Sequence, residues 1–241
     1  MLIATLEFLY EPGNTVGRTR EGAMMSARRI SRGSTVTLGG ALVVIIATAS
    51  PGAAAPGDLD PSFGRDGKVT TDFAGGGDQA QAVAIQGDGK IVAAGIDRNL
   101  SGVGDFALAR YNPDGSLDTT FDTDGLVTTD FIGQTDQAYA VAIQGDGKIV
   151  AAGRAFLGST REEFALARYN PDGSLDTTFD GDGKVTTDFA AFNDNARAVV
   201  IQGDGRIVAA GFAVVSGTND FALARYNTDG SLDSPSTATG R

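Results

Sequence analysis

The side chains left to do chemistry in a chain of 241 residues without a single Cys or His are carboxylates, Arg, Lys, Tyr and Ser. Disulfides, Ser/His/Asp triads and the usual zinc sites are excluded together. The most metal-like spacing is DTDG at Asp122 to Gly125 and DGDG at Asp180 to Gly183. A calcium loop begins with oxygen ligands at such alternate positions, so Asp122, Asp124, Asp180 and Asp182 are the candidate metal ligands. The matching stretch at Gly64 to Gly67 reads GRDG, without the first carboxylate, and no copy continues into the full acidic pattern. Turn-forming Asp is therefore the favoured reading, and calcium is the one cofactor considered. Beyond residue 55 the only Glu residues are Glu162 and Glu163, and no non-repeating carboxylate pair stands out as acid and base. No catalytic residue is nominated.

The cations are more regular. Arg110, Arg168 and Arg225 recur inside FALARY, on the strand face of Phe106 and Leu108. An Arg buried there needs a partner. The expected partners are Asp105, Glu163 and Asp220 ahead of the Phe, or Asp72, Asp130 and Asp188 in TTDF. Tyr111, Tyr169 and Tyr226 read as packing between repeats with a polar tip. Features written into every repeat serve the scaffold; selectivity is expected where the repeats differ. Those places are the loop before FALAR (IDRNLSGVGD, RAFLGSTREE, FAVVSGTND) and the loop after TTDF (AGGGDQ, IGQTDQ, AAFNDN). They nominate Arg98, Arg154, Phe156, Arg161, Phe192 and Phe212 as ligand-binding residues.

The elements that must hold these residues are read from IQGDGK at Ile85, which returns at Ile143 and, as IQGDGR, at Ile201, a spacing of 58. Self-alignment gives units 59–116, 117–174 and 175–231, then a divergent tail, 232–241. A period above 50 points to blades or solenoid coils. Within the second unit, Leu126 to Phe131, Tyr139 to Gln144, Lys148 to Ala152 and Phe164 to Tyr169 are short, β-branched or alternating, and bounded by turn residues. Tyr139, Val141 and Ile143 are expected on one face. GDG and PDG are tight turns, with Gly supplying positive φ. The fold class that follows is all-β: antiparallel four-stranded blades, three 58-residue repeats forming a partial β-propeller.

The combination of IQGDGKIVAAG, DFALARYNPDGSLDTTF and DGKVTTDF resembles the delta-60 repeat family, bacterial repeats assigned to a β-propeller of unknown function. The resemblance covers about residues 57–233 and recurs three times. It implies a fold and a secreted location; it supplies no activity and no catalytic residues.

Arg28, Arg29 and Arg32 precede an apolar run from Val36 to Ala49 and the small-residue stretch SPGAAAPG. That layout predicts a Sec-type signal peptide over 24–55, cut near Ala54 or Ala55, with 1–23 an upstream extension. The run is too short to span a bilayer, so no stable membrane insertion is expected after cleavage. Ser31 argues against a twin-arginine signal. Residues 56–241 then carry 14 Lys and Arg against 27 Asp and Glu. Such an acidic surface repels phosphate backbones, which argues against a nucleic-acid partner.

Propellers close with about 4 to 8 blades, so three leave apolar faces to be covered by missing further blades, by a homodimer making a six-blade ring, or by neither. The functional expectation is a secreted, non-enzymatic binding or scaffold module for an unknown protein or carbohydrate ligand, at the cell envelope or outside it. The alternatives are a propeller hydrolase or lyase on carbohydrate or phosphate esters, and a truncated, non-functional fragment.

Overall fold

The computed structural model describes residues 57–234, apart from Ala74, 159–160 and 190–192, together with five short strands nearer the N-terminus. Those five, β1 (Glu7–Glu11), β2 (Asn14–Arg18), β3 (Met24–Ala27), β4 (Val36–Leu38) and β5 (Ala41–Val43), form one three-stranded and one two-stranded antiparallel sheet in a first unit, Met1–Ala55. Most of the stretch read as a signal peptide lies outside the described residues, as do the tail from residue 235 and the candidate Phe192. No helix among the described residues is long and apolar enough to cross a membrane.

The second unit, Pro56–Arg241, is built of three antiparallel sheets. Sheet 1 is β6 (Gln79–Ile85), β7 (Ile91–Arg98), β8 (Gly104–Tyr111) and β9 (Leu126–Thr129). Sheet 2 is β10 (Gln137–Ile143), β11 (Ile149–Phe156), β12 (Glu162–Tyr169) and β13 (Lys184–Thr187). Sheet 3 has three strands, β14 (Asp194–Ile201), β15 (Ile207–Val215) and β16 (Thr218–Tyr226). Sheets 1 and 2 are the expected four-stranded blades, whereas sheet 3 has three strands among the described residues, and the blades are offset from the sequence unit. Leu126 to Thr129 does not lie with the strands that follow it; Leu126 pairs with Ala109, and Thr129 with Phe106, in the preceding sheet. The reason is local. Past the PDGS turn the chain runs back along the strand it has just left, with Tyr111 bridged to Leu117 and Asp118 N donating to Arg110 O at 2.9 Å.

The GDG hairpin behaves as its residues require. Gly147 sits at φ 85°, and its N–H donates to Gln144 O at 2.9 Å while Asp146 Oδ1 accepts from Lys148 N at 3.1 Å. Only Gly adopts that φ without strain, and the Asp side chain completes the loop.

The core explains why IVAAG and FALAR alternate as they do. In sheet 2, Val150, Ala152, Phe164 and Leu166 share one face, and Ile149, Ala151, Ala165 and Ala167 the other. The face with the larger side chains packs on Ala196, Ala209, Ala222 and Ala224 of sheet 3, and the Ala-rich face receives Val92, Phe106 and Leu108 of sheet 1. Large side chains meeting small ones let adjacent sheets approach and fill the space between them. Hydrogen bonds between tyrosine and threonine fasten the same junctions: Tyr169 Oη to Thr129 Oγ1 at 2.8 Å and Tyr226 Oη to Thr187 Oγ1 at 2.8 Å. Burial pushes the Tyr169 phenol far up and the Tyr226 phenol up to about 12, so both stay protonated. The tyrosines are the inter-repeat packing expected, each with its hydroxyl bonded.

Candidate functional site at the inner strands and loop end

The repeated Arg residues belong to the scaffold, but their partners differ from those expected. Arg110 Nε donates to Asp118 Oδ2 at 2.6 Å and Nη1 to Pro171 O at 2.5 Å, with the guanidinium 4.5 Å from the Phe121 ring centroid. Arg168 repeats this with Asp176, Thr228 O and Phe179. Asp105 and Glu163 lie five residues before these arginines and so project from the opposite face of the strand. Asp130 instead caps its own loop by accepting from Gly133 N. Burial pushes the Asp118 carboxyl up, but hydrogen bonds from Thr120, Lys90 and Arg110 outweigh it and hold the group well below the usual carboxylate range. Asp176 is held low in the same way by Lys148, Thr178 and Arg168 against the cost of burial. Clefts of about 510 Å³ and 410 Å³ open beside these clusters at the hairpin end of the sheets, and residues present in each repeat line them, including Gln144, Gly145 and Asp146.

The calcium candidates are turn residues. Asp122 and Asp180 adopt φ of 47° and 50°, and Asp124 Oδ1 and Asp182 Oδ1 each accept a backbone N–H two residues on, from Leu126 and Lys184, at 2.9 Å. Among the described residues, carboxylates gather elsewhere: Asp105, Asp130 and Asp136 bring one oxygen each within 4.8 Å of one another. Asp136 is already committed, since its Oδ2 accepts from Phe131 N at 2.8 Å and its Oδ1 from Phe156 N at 3.0 Å. Burial pushes its carboxyl up to about 6, although both amides favour the charged form. One repeat on, Glu163 and Asp188 stand where Asp105 and Asp130 do, and Arg161 contacts both, at 2.5 Å and 3.5 Å.

Most of the non-repeating chemistry collects between sheets 2 and 3, at the end opposite the GDG hairpins. Arg154 is ion-paired with Glu162, whose Oε2 accepts from Asn195 Nδ2 at 2.9 Å and whose backbone N–H donates to Asn193 Oδ1 at 3.3 Å. The Arg154 Nε is buried without a partner. Beside it the first strand of each sheet carries a bulge, between Ala80 and Ala82, Ala138 and Ala140, and Ala196 and Ala198. The extra residues are Gln81, Tyr139 and Arg197. A bulge re-aims its side chain and recurs beside binding sites. Tyr139 therefore does not share the face of Val141 and Ile143, as strict alternation had implied. It stacks against Arg197 instead, with the guanidinium 3.9 Å from its ring centroid, and the same Arg lies 5.7 Å from the Phe212 ring. Tyr139 Oη donates to Gln137 Oε1 at 3.1 Å.

Of the residues nominated from the loops, Arg154 and Phe212 join this group, and Arg161 lies at the same end on Glu163. Phe156 is tied by its backbone to Asp136, and Arg98 donates to Gly77 O at 3.5 Å, away from this group. Sequence reasoning missed Gln81, Tyr139 and Arg197. A signal was available: within QAQAVAIQ, QAYAVAIQ and NARAVVIQ only the third position takes three different residues.

A family model described as a domain of unknown function (DUF5122) beta-propeller matches residues 86–121, 144–179 and 202–234, once in each repeat. No curated protein matches the chain. Among solved structures, a gluconolactonase from Xanthomonas campestris is similar at 17% identity and a TM-score of 0.36, covering 70% of this chain and 52% of its own. This chain thus spans about half the length of that enzyme. The matches fall on the segments that carry the delta-60 resemblance, and each of the three repeats matches the DUF5122 β-propeller family model.

Proposed function

We propose that this propeller repeat protein is a secreted, non-enzymatic binding module whose ligand contacts the inner-strand bulges and the loop end of sheets 2 and 3. One observation carries the reading: polar residues repeated in each unit are consumed by sheet junctions and turns, whereas Tyr139, Arg154, Glu162, Asn195 and Arg197 differ between units and lie together. Tyr and Arg are the side chains that most often anchor recognition, because both offer large contact area with few moving parts. The ligand class favoured is a carbohydrate or a protein segment able to stack on an aromatic ring and accept hydrogen bonds from Arg. Glu162 is held by Arg154 and Asn195, an arrangement that fixes a carboxylate rather than poising it to move a proton.

The test is a microarray of glycans and peptides probed with the protein. Binding that weakens about tenfold or more in Arg197→Ala and Tyr139→Ala, at unchanged melting temperature, is expected. Turnover of a lactone, glycoside or phosphate-ester panel that disappears in Glu162→Gln would overturn the non-enzymatic reading. Secretion is checked separately, by sequencing the N-terminus of exported protein, with Ala55 or Pro56 expected as its first residue.

A further inference from the structure

The two ends of the sheet series are complementary halves of one junction. At the internal junctions, Leu126–Thr129 and Lys184–Thr187 do two things at once. Each is the fourth strand of its sheet, and each is also docked on the sheet that follows. The docking contacts are the Thr129–Tyr169 and Thr187–Tyr226 hydrogen bonds, with Asp122 N donating to Asp172 O and Asp180 N to Asp229 O, both at 2.7 Å.

The segment before sheet 1 is docked in the same way. Thr71 Oγ1 bonds Tyr111 Oη at 2.7 Å and Gly64 N donates to Asp114 O at 2.8 Å. Yet residues 68–71, the counterpart of those fourth strands, pair with no sheet. Sheet 3 lacks what that segment would supply. Among the described residues β16 has no neighbour on its outer edge, and Phe221 is 100% and Leu223 65% exposed, where their counterparts Phe106, Phe164, Leu108 and Leu166 are fully buried. Arg225 is bonded to Asp233 but among the described residues has no counterpart of the Pro171 and Thr228 carbonyls that Arg110 and Arg168 reach.

We propose that two copies of this chain close head to tail into a six-sheet ring, residues 68–71 of each forming the fourth strand of sheet 3 in the other. The occupant is a second copy because the missing piece exists in this chain, already held in the geometry that the internal junctions use. The register follows from sheets 1 and 2: Thr71 opposite Phe221, Thr70 opposite Ala222, Val69 opposite Leu223 and Lys68 opposite Ala224. Packing then places the Ala-rich face of sheet 1 on Phe221 and Leu223, as sheets 2 and 3 meet sheets 1 and 2 within one chain. Arg225 gains Pro113 O of the second copy as a second partner beside Asp233. In this ring the same contact is made twice, once at each end of the sheet series. This inference stands independently of the ligand proposed above.

The experiment is sedimentation velocity of the full chain over a range of concentrations. A species of twice the chain mass is expected, and Phe221→Asp should raise its dissociation constant at least about 30-fold with an unchanged circular dichroism spectrum, since Phe221 touches solvent alone in one copy. Thr70→Pro should do the same by blocking the added strand. The register is read by cross-linking. The chain has no Cys of its own, so Val69→Cys with Leu223→Cys should yield a covalent dimer on oxidation. A monomer at all concentrations, an open series of oligomers, or a dimer indifferent to both Phe221→Asp and Thr70→Pro would overturn the proposal.

Discussion

Arg168 and Arg225 occupy the same position in successive repeats, and replacing each by Ala should have very different consequences. Arg168 is 4% exposed and donates to Asp176 at 2.7 Å, to Thr228 O at 2.6 Å and to Thr178 at 3.2 Å, over the Phe179 ring. Its removal strands a carboxylate in the junction between sheets 2 and 3. Breaking a buried pair from one side costs about 3–5 kcal/mol. Lys148, 2.9 Å from the same Asp176 oxygen, retains part of the compensation, which places Arg168→Ala near the lower end, about 3 kcal/mol. For a unit of this size that is a fall in melting temperature of roughly 6–12 °C. The Arg225 side chain is 50% exposed in the single chain and among the described residues pairs with Asp233 alone, so Arg225→Ala in a monomeric background should cost no more than about 1 kcal/mol. The assay is urea unfolding followed by far-ultraviolet circular dichroism, because the chain contains no Trp. Both variants are made in the Phe221→Asp background, which keeps the comparison within one chain. Equal losses for the two would refute the reasoning, since sequence context is shared and only burial and partners differ.

The remaining expectations follow the same residues. Tyr169→Phe should cost about 1–2 kcal/mol, because it leaves Thr129 Oγ1 buried without its partner, and melting curves would show it. Gly153→Ala should prevent correct pairing of β10 with β11, since an added Cβ would meet Gln137 O at 1.9 Å; loss of the cooperative melt is the readout. For pH, Asp136 has a folded value of about 6 against 3.8, so its contribution to stability is fully present below the unfolded value and is lost as pH rises through 6. Asp118 and Asp176 are shifted the other way: their contribution is present above 3.8 and lost as pH falls below it. Melting temperature should therefore rise from pH 7.5 to about 5 and fall steeply below about 3.5. Asp136→Asn should reduce the first limb, to which Asp97, Asp105 and Asp194, also pushed up by burial, contribute in the same sense, and leave the second.

The repeat period, the four strand segments, the Gly-bearing turns and the demotion of repeated Arg, Tyr and Asp to scaffold duties were all legible in the sequence. They are local or periodic properties: a hairpin at Gly147 needs positive φ whatever surrounds it, and a residue copied three times cannot by itself mark a single site. The pairing of those segments was not legible. Whether LVTT joins the strands before it or after it depends on how the chain returns past Tyr111 and Leu117, and either choice leaves the same alternation in the sequence. The partner of Arg110 was hidden for the same reason. Asp105 is nearer along the chain than Asp118, but an odd separation puts it on the other face, while the reversal after PDGS brings Asp118 back to 2.6 Å. The bulges at Gln81, Tyr139 and Arg197 shift alternation by one residue without any Gly to announce them, so only the ladder register shows that these side chains leave the sheet face. Composition and period determined what each repeat is; hydrogen bonding between segments far apart in the chain decided which residues meet, and that is where the candidate site and the unpaired end of sheet 3 both arise.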